Sequence, residues 1–427
     1  MNGNADPALR PPPPTVFRWT VLLLVSLAMF GNYYVYDTIA PVADMLKSDL
    51  GFSDSQIGQL YSVYSVAAIV VLLIGGVLID RFGAALSTVL FGAICAVAGV
   101  VTAMSPEFPV MAAGRVLLGI GAEPLIVAVT TGLAKWFRGK ELSFAFGVNL
   151  TIARLGSVAA DNSPTWAGKA YASGWQAPLW IGAVIGLVCV VAGVLYWAFE
   201  KHAARRYSLG AAGEMDRLVW REIFAFSRSY WFIVALCITF YSAIFPFRSF
   251  AIKFFIEGHG MTREAAGALN SALPFAAMFA TPLFGLLVDR VGKRALFMMV
   301  GSFLLMPVYL MLVYTDVPPI VPMALMGVAF SLIPAVMWPS VAYIVDPKRL
   351  GSAYALMTLI QQIGLAGMNQ AIGWANDVSR ASAENPGGYA LGMWIFSVLG
   401  FLGFFFAWML RREEKSPRGH GLETIKA

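Results

Sequence analysis

The sequence predicts an all-α integral membrane protein with twelve transmembrane helices arranged as two pseudo-symmetric halves of six. Composition is the first observation behind that prediction: 59% of the 427 residues are apolar and only 13% are charged, where a soluble domain has roughly 45–50% and about 25%. Such a chain has too few polar groups to cover its own surface, and its mean hydropathy of +0.71 belongs to a protein solvated by lipid. The second observation is that the apolar residues fall into runs of about 20, the length of one helical crossing. The third is an internal repeat at a single offset.

The first run, 18–40, follows a tail, 1–17, that carries Arg10 and the Pro11 to Pro14 run. It is too long for the apolar core of a cleaved signal peptide and lacks a small-residue exit, so it reads as a retained first span. Runs at 56–79, 84–104, 109–133, 142–163 and 176–199 complete a first half over 18–199. A polar loop, 200–229, separates it from runs at 230–255, 264–288, 294–315, 318–345, 350–375 and 388–410, which make a second half over 230–410 before a tail at 411–427. Continuous runs of this length specify helices rather than alternating barrel strands. Of the 30 Lys and Arg, 22 fall on the side of both termini; Lys47, Lys169, Lys253, Arg263 and Arg380 fall on the other, and Arg115, Arg154 and Arg248 lie within runs. The positive-inside bias therefore predicts cytoplasmic termini.

Gly76-Val77-Leu78-Ile79-Asp80-Arg81-Phe82-Gly83 recurs as Gly285-Leu286-Leu287-Val288-Asp289-Arg290-Val291-Gly292, each pair 209 positions apart. The same offset carries Ser53 onto Thr262, Gly58 onto Gly267, Leu60 onto Leu269 and Ser143 onto Ser352. One offset holding across separate stretches marks a duplicated six-helix unit. Within the motif, Gly76 and Gly285 admit a close helix neighbour, Asp80 and Asp289 place a carboxylate beside Arg81 and Arg290 at a helix end, and Gly83 and Gly292 allow a tight turn. A cluster of this kind on each half can latch the halves together on the cytoplasmic face, so these eight residues are candidate gating residues.

With Arg115-x-x-x-Gly119-x-Gly121 in the fourth run, these features resemble the major facilitator superfamily across essentially the whole chain. The resemblance implies alternating access, in which two halves rock about a central site near the bilayer midplane.

An ionisable residue in mid-span costs about 2.5–3.5 kcal/mol on insertion scales and calls for a partner or a task. Five stand out: Asp37, Arg115, Glu123, Arg154 and Arg248. Glu123, in Gly119-Ile120-Gly121-Ala122-Glu123-Pro124, and Arg154 lie at similar depth on neighbouring antiparallel spans. Pro124 frees a backbone carbonyl and the glycines open space, as where a helix lines a cavity. A guanidinium fork suits a carboxylate and a glutamate accepts from an ammonium, so the pair is the candidate site for a zwitterionic or anionic solute. The competing reading is a resident Glu123–Arg154 salt bridge that holds the fourth and fifth spans together; the two readings are compatible if the pair bonds to itself when empty and exchanges partners when loaded. Arg115 is expected to fix the outer half of its span through carbonyls or acidic neighbours. Asp37 is expected to steer cations or to be a solvated helix end, and Arg248 to contact an anion or to snorkel to the outer interface. Tyr61, Tyr64, Asn149, Asn270, Trp338, Gln361 and Gln362 are candidates for neutral hydrogen bonds to a solute, or for joining helices.

Stretches in both halves are also similar to the lysosomal dipeptide-transporter group of animals and its bacterial relatives. They are Tyr36-Asp37, Gly121-Ala122-Glu123, Trp136-Phe137-Arg138-Gly139-Lys140-Glu141-Leu142, Ala153-Arg154-Leu155-Gly156-Ser157, Ala268-Leu269-Asn270-Ser271, Phe284-Gly285-Leu286-Leu287-Val288-Asp289, Trp338-Pro339 and Leu350-Gly351-Ser352-Ala353-Tyr354. That resemblance implies short peptides as substrate, uniport that need not couple to protons, and peptide ends held at Glu123 and Arg154. The chain departs from the animal pattern in its proline run, which stands in place of an acidic-dileucine signal, in Pro124 and in Arg248. The first departure favours a bacterial inner membrane. The runner-up substrate is an organic or inorganic anion, moved by proton symport or exchange and held by Arg154, Arg115 and Arg248.

An enzyme is not expected, because His202, His259 and His420 fall in loops or the tail and no catalytic motif is present. Cys95, Cys189 and Cys237 sit in apolar runs and form neither a disulfide framework nor a zinc spacing. No cofactor, metal or nucleic acid is expected; the expected partners are the solute and membrane lipid, and monomer and dimer both remain open.

Overall fold

The computed structural model describes residues 11, 13–72, 75–137, 141–209 and 226–425, the side chains of 75–77 and 80 excepted. Asp80 and the surroundings of Gly76 therefore lie outside the described set, as does most of the expected linker, 210–225. The first half contains α1 (Thr15–Asp37), α2 (Asp54–Leu72, followed by a short helix Gly75–Phe82), α3 (Ala84–Met104), α4 (Phe108–Phe137), α5 (Leu142–Asp161) and α6 (Gln176–Ala203). The second contains α7 (Arg228–His259), α8 (Arg263–Val291), α9 (Arg294–Tyr314), α10 (Ile320–Ile344), α11 (Leu350–Val378) and α12 (Ala390–Glu414). Lipid offers the backbone no hydrogen bonds, so each crossing closes its own as a helix.

Eleven of the helices among the described residues are long and apolar enough to cross a membrane. The twelfth, α11, is as long as the others but carries Gln361, Gln362, Asn369, Gln370 and Asn376. Its polar residues point to a helix that lines the bundle interior rather than facing lipid on all sides.

Local signals set the helix ends. Ser227 accepts from Tyr230 N to start α7 and Thr262 accepts from Ala265 N to start α8. Gly83 (φ 77°) and Gly292 (φ 73°) take backbone angles that other residues avoid, which is what the tight turn in each repeated motif requires. The expected close neighbour at Gly285 is absent, since a Cβ there meets nothing within 4 Å. Arg81 and Arg290 are exposed, and Asp289 pairs with Arg294, whose guanidinium lies 4.7 Å from the Tyr343 ring.

The halves meet chiefly where α2 packs on α11 and α5 on α8. At both crossings a backbone carbonyl of one half presses on a glycine of the other: a Cβ on Gly58 would fall 2.2 Å from Asn369 O, and one on Gly267 would fall 2.2 Å from Asp161 O. These are the two glycines related by the repeat offset, so the duplicated sequence builds one interface twice.

Both contacts lie toward the side opposite the termini, here the distal side. Polar bonds add to them: Asp377 accepts from Asp54 N and Ser55 N at 2.8 Å each, Ser62 donates to Ala366 O at 2.7 Å, and Arg263 pairs with Asp44 at 2.7 Å. Lys253, counted to the outer side at the end of its run, is fully buried within α7, 2.8 Å from Asp54 and 3.1 Å from Glu257. α7 continues to His259, where Gly260 (φ 62°) ends it, and these carboxylates offset the charge of a lysine inside the bundle. The bonds and ion pairs that join described residues of the two halves all lie at mid-membrane or distal to it. On the terminal side each half is tied to itself, Lys135, Trp136 and Tyr196 to Glu200 in one, and Ser229 and His420 to Glu414 in the other. The bundle is sealed on its distal side.

Replacing Gly58 with Val should break that seal, because overpacking against a fixed backbone costs about 1–3 kcal/mol. A spin-label distance between the distal ends of α2 and α11 is expected to lengthen. An unchanged distance would show that the crossing tolerates a side chain.

Candidate functional site

Three helices bring the mid-membrane carboxylate its partners. Glu123 lies on α4 beside Pro124, and its Oε1 accepts from Tyr64 OH of α2 at 3.1 Å and from Gln362 Nε2 of α11 at 2.8 Å. No hydrogen bond reaches Oε2 from the described residues, and Glu123 is partly exposed. Gln362 is 4% exposed, and its own Oε1 is buried without a partner. Gln361, one residue earlier, faces Cys237, whose thiol is 3.9 Å from its Oε1.

Arg154 of α5 is also partly exposed; its Nη1 donates to Thr281 Oγ1 of α8 at 3.4 Å and its guanidinium lies 5.8 Å from the Phe330 ring. Within the 4 Å limit of an ion pair, Glu123 and Arg154 do not meet, so the resident salt bridge read from the sequence does not form in this conformation. Tyr33 of α1 lies within electrostatic range of both charges. An aromatic wall from the second half continues from Phe330 through Phe245 and Tyr241 to Trp338 and Tyr354. Trp338 Nε1 donates to Tyr241 OH at 2.8 Å.

The remaining candidates are engaged elsewhere. Asn149 donates to Ser26 of α1 at 3.0 Å and is 5% exposed. Arg115 donates to Leu60 O, Val35 O and Tyr36 O, and its guanidinium stands 5.2, 5.0 and 5.8 Å from the rings of Tyr36, Tyr61 and Tyr64. Arg248 does not snorkel: it is buried and pairs with Asp161 at 2.9 Å, with Asp37 at 3.8 Å. Asp37 is accordingly no solvated helix end. Asn270 completes the group, donating to Asp161 Oδ1 at 3.0 Å.

Asp161, fully buried, is the member of this cluster that sequence reasoning missed. It falls at the end of α5, where a carboxylate looks like an ordinary helix terminus. The signal that pointed to it was Arg248, a buried cation needing a counter-charge of matching depth on the other half. Asp54, Glu257 and Asp377 escaped for the same reason.

A chemical division follows. Distal cations and carboxylates are paired with one another, whereas Glu123 and Arg154 keep hydrogen-bonding capacity that no described residue uses. Among the described residues no cluster of three His, Cys, Asp or Glu is placed to hold a metal.

Comparison with known proteins gives a consistent picture. The family model described as Major Facilitator Superfamily matches residues 25–368 and 249–426. The chain is 35% identical over 375 residues to the "Lysosomal dipeptide transporter MFSD1" of Danio rerio, covering 84% of this chain and 81% of that protein. It is 33% identical over 377 residues to the protein of that name from Homo sapiens, covering 85% and 81%. Among solved structures, a bacterial homologue of the human lysosomal transporter Spinster superposes with a TM-score of 0.72 at 14% identity, covering 94% of this chain and 98% of that one. A D-xylose–proton symporter superposes at 0.70 and 15%, covering 91% and 97%. These two share the fold.

The distal cluster makes a prediction of its own. Arg248→Met leaves Asp161 buried without its cation, and breaking a buried pair costs about 3–5 kcal/mol. The melting temperature should fall sharply and recover in the double variant Arg248→Met with Asp161→Asn. No recovery would mean that Asp161 is not the counter-charge that matters, leaving Asp37 or packing as the role of Arg248.

Proposed function

The chain belongs to the major facilitator superfamily, and on that premise we propose that it carries dipeptides across the membrane by uniport, Glu123 holding the amino group and Arg154 the carboxylate. One observation carries the reading: opposite charges stand inside the bundle, unpaired with each other and each with unused hydrogen-bonding capacity. Lone charges in a membrane are costly, and a solute bearing the complementary pair satisfies both at once. The aromatic wall beside Arg154 offers apolar surface for variable side chains. Relatives that are dipeptide transporters by name support the substrate class.

The distribution of Lys and Arg supports cytoplasmic termini, which would make the distal side extracytoplasmic and this conformation one sealed against the exterior. Transport then requires the Gly58 and Gly267 crossings to part while the halves, bounded near 18–199 and 230–410, close around the repeated motifs at Gly83 and Gly292. A bacterial inner membrane is the proposed location; the relatives named above are lysosomal proteins of animals, and cell fractionation decides between the two. A three-arginine anion site draws no support from Arg115 and Arg248, which are both buried, Arg115 donating to backbone carbonyls and Arg248 paired with Asp161.

In proteoliposomes at equal pH on both sides, a labelled dipeptide should leave down its own gradient. Glu123→Gln and Arg154→Lys should each slow that efflux at least about tenfold, the loss of one charge-assisted hydrogen bond, while the protein stays folded. If dipeptides neither move nor compete while a carboxylate solute does, the substrate assignment is wrong.

A further inference from the structure

We infer that Gln362 is a second ligand for the substrate's amine, so that the ammonium is held jointly by Glu123 of the first half and Gln362 of the second. The inference rests on Glu123 being the amine site. Its starting point is the direction of the Gln362 amide. Nε2 donates to Glu123 Oε1 at 2.8 Å; the reverse orientation would set a carbonyl oxygen against a carboxylate, so the contact itself fixes which end is nitrogen. The Gln362 carbonyl oxygen is thereby aimed away from Glu123 into a buried position where it has no partner.

A buried acceptor without a donor is unfavourable unless something supplies one. The group expected at Glu123 does so: an ammonium has three N–H donors, of which a single carboxylate oxygen satisfies one. Tyr64 and Gln362 both bond to Oε1, which leaves Oε2 for the ligand and holds the carboxylate in place. The ammonium then gives one hydrogen to Glu123 Oε2 and a second to Gln362 Oε1.

The two ligands lie on opposite halves, α4 in one and α11 in the other. An amine bound between them ties the halves together at mid-membrane, next to the α2 to α11 crossing. Peptides whose amine is acylated or missing lose the Glu123 contact and the Gln362 contact together.

The test uses the full-length protein in detergent or nanodiscs and two probes of nearly equal shape, alanyl-alanine and propionyl-alanine, the second lacking the amine. Gln362→Leu should weaken alanyl-alanine at least about tenfold and move propionyl-alanine less than about threefold, with the unliganded melting temperature unchanged or raised. Gln362→Met, closer in shape, should give the same pattern. The assignment fails if either variant leaves alanyl-alanine affinity near wild type, or if it weakens both probes alike and lowers the unliganded melting temperature. Wild-type protein that binds neither probe would overturn the dipeptide reading along with this one. Wild-type preference for alanyl-alanine that survives Gln362→Leu would overturn the role of Gln362 alone.

Discussion

Two backbone crossings, Gly58 under the carbonyl of Asn369 and Gly267 under that of Asp161, set how closely the halves approach on the distal side. Helices that touch backbone to backbone leave no room for lipid or for long side chains, so polar groups next to the crossings must find partners within the protein. The buried pairs Arg248–Asp161 and Lys253–Asp54 form at this depth, and Asn270, Asp377 and Ser62 bond across the same seam. The internal repeat places an equivalent crossing on each side of the pseudo-dyad, which spreads the seal over two sites.

Moving from that seam toward the bilayer middle, the electrostatics change character. Distal cations and carboxylates are matched at distances below 4 Å and shielded from solvent. Glu123 and Arg154 are held by neutral groups, Tyr64 and Gln362 for one and Thr281 for the other. Neutral partners keep each charge in position without cancelling it, so the site stays attractive to an ionic ligand while remaining ordered.

Much of the fold was legible in the sequence because lipid imposes one rule on every crossing, and runs of span length obey it. Glu123 and Arg154 stood out for the same reason, as charges where lipid forbids them. Their separation was not legible, since similar depth on adjacent helices says nothing about rotation. Gln361 and Gln362 show the limit most clearly: successive residues point about 100° apart on a helix, and only the packed register decides which one reaches Glu123. Lys253 was counted to the outer side because it lies two residues from the end of its run, 230–255, where a cation looks like the start of the loop beyond. Its counter-charges, Asp54 and Glu257, come from another helix and from one turn further on, and only one of those is near it in the chain.

The carboxylate of Asp377 carries a final consequence. The first amides of any helix lack partners within it, and for α2 those at Asp54 and Ser55 are satisfied by a side chain from the opposite half. This is a helix cap supplied in trans. When the distal side parts, water can take the place of Asp377 at the same two amides, and the freed carboxylate is itself hydrated. The exchange trades one set of hydrogen bonds for another of similar strength, so this part of the seal gives geometric specificity to the closed state without making it a deep energetic trap. A carrier that must visit both states in every cycle is well served by a fastener of that kind.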